Sequence, residues 1–488
     1  MFVLSGKNGK PLYSQIYQQI RNHILSGNLR PGTKLSSSRH LSKELCVSRN
    51  TVDMAYQQLV SEGYLVGKSR SGYYIEALDN INIPVLMETK AKEEAILSEP
   101  LTAPKYNLQY GKLETAIFPF RKWRQLTNKC LRDDKEQIMN YGQVQGEPGL
   151  GTAISEFLRE YRGVECTANQ IVIGPGTQYC LTLACQLIQP STTTIAIENP
   201  GFWAARSIFS NMGLRVIPIP VKKHGLQVKQ LRMTDAKAVY VTPSHQFPTG
   251  NIMSIARRLE LVEWAYKSDA IIIEDDYSCH LRYNVRPIQA LQALAPDQVV
   301  YIGSFSKILS PSIRVAYMVL PQKLVDHFLL TAEHFPCSVP FLIQKPLELF
   351  LKEGEWGSHL RKITRHMKKK RDILIQALKD EFGDAVSISG ENAGLHLLVQ
   401  VKSPLPEQEL VMRALQIGVL IHPAGNLWLN QKDAPFGTVL LGYGGITLED
   451  IYPAVHLLRQ VWLGDEKGVM GTGLLTLTFN DCMVDTPL

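Results

Sequence analysis

Apolar residues recur at every fourth position, Leu12, Ile16, Ile20 and Ile24, so a helix from about Pro11 to Ser26 carries one apolar stripe. Gly27, Pro31 and Gly32 end it in a turn. A second helix is predicted within Ser36–Leu45, where serines offer N-caps and Leu41 and Leu45 stand one turn apart. After the short turn Cys46-Val47, Ser48 caps a third helix, Arg49–Leu59. Its apolar positions Val52, Tyr56, Leu59 and Val60 are expected to face the first two helices. Gly63–Ile75 reads as two strands around the basic turn Lys68-Ser69-Arg70. Residues 1–75 are therefore expected to form a winged helix-turn-helix. In that geometry the start of the third helix reaches base edges in the major groove.

The pattern then changes. Between Glu76 and Lys105, Pro84, Pro100, Pro104 and a run of charged residues interrupt any apolar period, although Met87–Leu97 could form a short polar helix. Residues 76–105 read as a linker; as flexible coil, roughly 30 residues span about 30 Å. From residue 106 to 463, short β-branched strands alternate with amphipathic helices. Examples are Ile171-Val172-Ile173, Thr194–Ile197, Ala238–Val241, Ala270–Ile273 and Val299–Ile302. This predicts an α/β fold with a mainly parallel sheet. Residues 464–488 form a C-terminal tail, a disordered end or an extra edge strand through Leu474–Phe479.

Charge sharpens the reading of the first unit. Residues 1–75 hold ten Lys and Arg against three acids, while the rest of the chain has 42 of each sign. The whole net charge of +7 thus lies in the helix-turn-helix, which points to a polyanion partner. None of the 8 cysteines sits in a two-residue-spaced pair, so a zinc site is not expected, and a reducing cytoplasm suits them. No run of eighteen apolar residues occurs, so no membrane span is expected. The N-terminus does not read as a secretory signal.

In a parallel sheet, ligands gather at the carboxyl ends of the strands. After Ile171–Ile173 comes Gly174-Pro175-Gly176-Thr177-Gln178, a glycine turn opening a helix, which is an anion site. After Ile195–Ile197 comes a turn with Phe202, an aromatic that could lie beside a planar ligand. After Ile271–Ile273 come Glu274-Asp275-Asp276-Tyr277, and a carboxylate buried there needs a cation such as a pyridinium nitrogen. After Val299–Ile302 come Ser304, Ser306 and Lys307, then Arg314. A lysine flanked by hydroxyls and a guanidinium suits an aldehyde that carries a phosphate. Together these turns offer the contacts that pyridoxal 5′-phosphate requires.

The first unit resembles the GntR family of bacterial regulators through Leu29–Leu35, Ser38-Arg39, Val47–Val52, Ala55-Tyr56, Leu59, Glu62-Gly63 and the wing glycine. Ser36 stands where that family usually has proline. The resemblance implies DNA contacts from Arg39, Arg49, Asn50, Thr51 and Gly72. Residues 106–462 resemble fold-type I aminotransferases through TPSHQFPTG, IIIEDDYSCHLRY, YIGSFSKILSPSIRVAY, GPGTQ and YGQVQGEPGL. The fused chain thus resembles the MocR subfamily of GntR regulators. That resemblance implies that Lys307 forms a Schiff base with pyridoxal phosphate, that Asp275 pairs with the pyridine nitrogen, and that Tyr277 contacts the ring hydroxyl. It also implies Thr177, Gln178, Ser304, Ser306 and Arg314 around the phosphate, and Phe202 on the ring where relatives more often carry tyrosine. A head-to-tail homodimer on a double-stranded operator is expected on the same ground.

A DNA-binding head favours a regulator whose aminotransferase-like body is a sensor, not an enzyme, over a working aminotransferase with an appended head; a residual half-reaction at Lys307 stays open. Aminotransferases clamp a substrate carboxylate with a C-terminal arginine. Here Leu440 stands where that arginine would be, and no arginine occurs between Arg413 and Arg459. The branch of the family that senses pyridoxal phosphate and controls vitamin B6 synthesis is therefore expected. An amino acid effector, bound by Arg206, His245 or Lys432, is the alternative.

Overall fold

A computed structural model describes residue 4 and residues 10–77, 104–283 and 288–464. The polar helix expected within 87–97, Cys482 and the tail beyond 464 lie outside the described residues. The chain divides into two compact units, Met1–Pro100 and Leu101–Leu488.

In the first unit, helix α1 (Leu12–Leu25) buries Ile16, Ile20 and Ile24. Helix α2 (Ser38–Glu44) starts where the Ser37 hydroxyl accepts the His40 N–H at 3.2 Å. Helix α3 (Arg49–Ser61) starts where Ser48 accepts the Thr51 N–H at 3.1 Å. Each cap satisfies an N–H that would otherwise lack a partner. Strands β1 (Leu65–Lys68) and β2 (Gly72–Ile75) form the antiparallel wing. One expectation is corrected: Val60 is 36% exposed, and Ala55 takes the buried place beside Val52, Tyr56 and Leu59. At 3.6 residues per turn, positions 52, 55, 56 and 59 share a stripe, and position 60 is rotated out of it.

The second unit contains strands β3 (Tyr106–Asn107), β4 (Ile171–Gly174), β5 (Thr194–Asn199), β6 (Arg215–Lys222), β7 (Gly225–Leu226), β8 (Ala238–Val241), β9 (Ile271–Asp275), β10 (Val299–Ser304) and β11 (Ala316–Val319). Among the described residues, eight of them form one sheet in the order β4-β11-β10-β9-β8-β5-β6-β7. Six run parallel; β11 and the short β7 oppose them. The central strands are buried along their length because both faces are covered. Ile271 and Ile273 enter one core and Ile272 the other, as a two-residue side-chain period requires.

A smaller antiparallel sheet follows, built from β12 (Val386–Ser389) and β13 (His396–Val401) and, beyond the short β14 (Val419–Leu420), from β15 (His422–Pro423) and β16 (Thr438–Gly442). β14 pairs with β3, so the start of the second unit is tied to its C-terminal part. Among the described residues no helix is long and apolar enough to cross a membrane. No group of three or more metal-ligating side chains occurs there either.

Candidate cofactor site

The parallel strands bring their C-terminal ends to one edge. β11 runs the other way, so its beginning lies at that same edge: Ser304, Ala316 and Gly174 are neighbours in register. This reversal carries Arg314, two residues before β11, to the turn after β4. A cavity of about 370 Å³ opens there and is lined by Thr177, Gln178, Phe202, Asp275, Tyr277, Ser304, Ser306, Lys307 and Arg314. The structure thus brings together the nine residues that the sequence singled out in separate turns.

One end of the cavity is built for an anion. Gly176 begins the helix Thr177–Ile188 with no side-chain cap, which leaves the first N–H groups available to a ligand. A Cβ on Gly176 would lie 2.5 Å from Nη2 of Arg314, and its φ is +101°. Only glycine lets the guanidinium come this close to the backbone. Arg314 donates to the Pro175 carbonyl at 3.3 Å. The Ser304 hydroxyl accepts the Ser306 N–H at 3.1 Å, and the Ser306 hydroxyl is buried without a partner.

The other end is built for a flat, partly polar ring. Phe202 and Phe247 meet edge to face, with centroids 5.9 Å apart. Asp275 ends β9 and is 3% exposed. Tyr240 donates to its Oδ2 at 2.7 Å, while Oδ1 is buried without a partner. Burial pushes the Asp275 carboxyl up to about 7. A cationic ring nitrogen would reverse that shift and satisfy the orphaned oxygen. The Tyr277 hydroxyl donates to the His245 carbonyl at 3.0 Å and lies 2.9 Å from His245 Nδ1. Burial lowers the Lys307 amine to about 8; Asp275 pulls it upward and Arg314 pushes it further down. Two orphaned buried oxygens, a phosphate cradle and an amine poised near neutrality fit pyridoxal phosphate.

Sequence reasoning missed Tyr240, Thr242 and Phe247 in the wall, and also Gln109–Leu113, Ser310–Ser312 and His422. Tyr240 sits in a strand that was legible, but its hydroxyl matters only because β8 lies beside β9. Arg206, His245 and Lys432 do not line the cavity, which corrects their expected part in holding a carboxylate. Arg206 turns to the carbonyls of Trp428 and Asn426, and His245 is buried behind Tyr277. Lys432 sits on the short helix Gln431–Asp433. Leu440 is 2% exposed and pairs across the small sheet with Leu398 and His422.

In the first unit, Arg39 and Arg49 occupy the opening turns of α2 and α3 and are exposed. Asn50 and Thr51 follow, and the Thr51 hydroxyl lies 2.7 Å from that of Ser48. Arg49 lies 3.5 Å from the half-buried Asp53 one turn on, an ion pair with one side open to solvent. Gly72, with φ of +106°, opens the second wing strand.

Two family models match this chain. Residues 12–75 match "Bacterial regulatory proteins, gntR family" and residues 103–426 match "Aminotransferase class I and II". The HTH-type transcriptional regulator YdeL of Bacillus subtilis is 36% identical over 93% of this chain and 97% of its own length. The probable rhizopine catabolism regulatory protein MocR of Rhizobium meliloti is 30% identical over 96% and 97%. The chain belongs to the MocR-type regulators of the gntR family. The pyridoxine biosynthesis regulator PdxR of Corynebacterium glutamicum is another relative, 32% identical over 84% of this chain and 88% of its own length. Among solved structures, Pyrococcus horikoshii kynurenine aminotransferase shares the fold of the large unit, with TM-score 0.68, 23% identity and coverage of 74% of this chain and 91% of that one. As a MocR-type regulator, the protein joins a DNA-binding head to an aminotransferase-like body whose cofactor is pyridoxal phosphate.

Proposed function

We propose that this MocR-type regulator senses pyridoxal phosphate itself in the cytoplasm and controls the genes of vitamin B6 synthesis. One observation carries the reading: buried Leu440 stands where an amino-acid-binding relative needs a carboxylate clamp, and none of Arg206, His245 and Lys432 lines the cavity. A carboxylate placed beside Leu440 would meet the neutral imidazole of His422 in place of a guanidinium. The name of the PdxR relative agrees with this choice. Lys112, which lines the cavity and is exposed, favours the second reading, an amino acid effector with its carboxylate on that ammonium.

Within this reading, the N–H groups of Thr177 and Gln178, the hydroxyls of Ser304 and Ser306, and Arg314 hold the phosphate. Phe202 would pack against the ring, Asp275 would keep a proton at the ring nitrogen, and Tyr277 would hold the ring hydroxyl. The bound cofactor supplies an aldehyde carbon to which Lys307 can bond. Tyr240 fixes the Asp275 carboxylate. The domains are read as head 1–75, linker 76–105, body 106–463 and tail 464–488. Large side chains exposed at Met139, Tyr141, Leu330 and Phe335 support a homodimer through the body. Two heads then meet a two-part operator.

The deciding experiment is the visible spectrum of purified protein with pyridoxal phosphate and then with a panel of amino acids, alongside operator binding. A band that forms with the cofactor, ignores every amino acid and accompanies a change in operator affinity is expected. A band and operator affinity that respond to one amino acid would establish the second reading instead. The rate of cofactor capture should rise with pH through about 8, because only the neutral Lys307 amine attacks the aldehyde. Stopped-flow absorbance across pH 6 to 10 checks this, and a flat profile contradicts it. In the head, Arg49→Ala should weaken operator binding roughly tenfold and reduce the salt slope by about one. Anisotropy titrations at several salt concentrations measure both.

A further inference from the structure

The Lys307 ammonium lies 4.0 Å from the centroid of the Tyr110 ring. Among the described residues Lys307 forms no salt bridge, although Asp275 and Arg314 both act on it through space. Two imidazoles also feel its charge, His396 and His422, and burial holds both down to about 4, so they are neutral. Among the described residues, the ring face of Tyr110 is the one that makes a cation–ring contact with this ammonium.

Tyr110 is placed rigidly for that contact. It is 6% exposed, with His396 edge-on at 5.1 Å and Phe247 at 5.4 Å. Its backbone is pressed on β16: a Cβ on Gly442 would lie 2.5 Å from the Gln109 carbonyl and 2.7 Å from the Tyr110 Cα. The Gly442 N–H donates to the Leu108 carbonyl at 2.7 Å. A ring fixed on both sides cannot swing away when Lys307 gains or loses its proton.

We propose that Tyr110 is a positioning residue for Lys307: its ring face holds the ammonium while nothing is bonded to Nζ, and so sets how much of the lysine is free amine. The quadrupole of the ring attracts the charged form and is indifferent to the neutral one. Tyr110 thereby opposes the desolvation that favours the amine. It follows β3 (Tyr106–Asn107), near the start of the second unit. The proposal rests on the reading that Lys307 is the residue that captures the cofactor.

The test uses full-length, cofactor-free protein. Tyr110→Phe is compared with ring-fluorinated phenylalanines at the same position, which keep the shape and drain the ring's electron density. Competitive acylation of Lys307 against pH, read by mass spectrometry, gives the midpoint of its proton loss. Tyr110→Phe should keep the parent midpoint. The trifluorinated ring should lower it by about one unit, the size of a desolvated cation–ring contact, with the difluorinated ring between. Tyr110→Leu should match the trifluorinated ring; if that variant does not fold, the fluorinated series still decides. A midpoint that stays constant along the series overturns the proposal, since a merely structural ring would give that result. Cofactor capture is measured separately: a fluorine-dependent midpoint in protein that fails to capture pyridoxal phosphate supports the Tyr110 contact and sinks the cofactor reading alone.

Discussion

Lys307→Ala should form no visible absorption band with pyridoxal phosphate, and borohydride treatment should leave no cofactor mass on the chain. The phosphate cradle at Gly176, Thr177, Ser304, Ser306 and Arg314 does not involve this side chain. Residual, non-covalent binding should therefore persist, weakened by roughly a hundredfold, which corresponds to about 2.7 kcal/mol. Operator affinity should then cease to depend on the cofactor at concentrations that saturate the parent protein. A ligand shifts a conformational equilibrium only by its difference in affinity for the two states, and the covalent bond is proposed to supply that difference. Gel-shift titrations with and without the cofactor measure it. Retention of the full cofactor response by the alanine variant would show that the bond to Lys307 is not part of the signal.

The second large effect is on stability. Arg162 ends the helix Pro148–Arg162, is 2% exposed, and reaches Asp276 Oδ2 with Nε at 2.8 Å and Nη2 at 2.7 Å. Its Nη2 also donates to Ser244 at 2.8 Å, and Tyr301 donates to the same Asp276 oxygen at 2.8 Å. Burial alone would push the Asp276 carboxyl up; Arg162 and the Tyr301 hydroxyl outweigh that and hold it below the usual range. Arg162→Met removes the charge that compensates Asp276 and should destabilise the body by about 3–5 kcal/mol. Adding Asp276→Asn should restore a good part of the loss, because the stranded anion goes with it. Denaturation followed by body fluorescence and by the cofactor band checks both steps. Equal loss in the single and double variants would mean that packing, not charge, is what Arg162 provides. Because Asp276 adjoins Asp275, the single variant should also loosen the cofactor.

Much of this protein could be read along the chain. The four-residue period of Leu12, Ile16, Ile20 and Ile24, the caps Ser37 and Ser48, and the basic excess before residue 76 are local features. Their physics acts within one or two helical turns, so a linear pattern records it. The same holds for the buried strands, whose β-branched runs need no partner to be recognised, and for the glycine turn before Thr177. Val60 is apolar but stands beyond the arc of Val52, Ala55, Tyr56 and Leu59 at 3.6 residues per turn, so apolar character alone misplaces it and the helical period corrects it.

What only the tertiary structure decided concerns neighbours that are far apart in sequence. The reversal of β11 sets Arg314 against Gly176, 138 positions away along the chain. The adjacency of β8 and β9 gives Tyr240 its grip on Asp275. The pressing of Gln109 and Tyr110 onto Gly442 puts an aromatic face over Lys307. Neither strand order nor strand direction is encoded in any single segment, because both follow from which buried faces can be covered at once. The sequence by itself thus determined the two-part organisation and the DNA-binding class of the head and singled out nine residues of the cavity, whereas strand order and direction decided which residues meet there, and so what the cavity can hold.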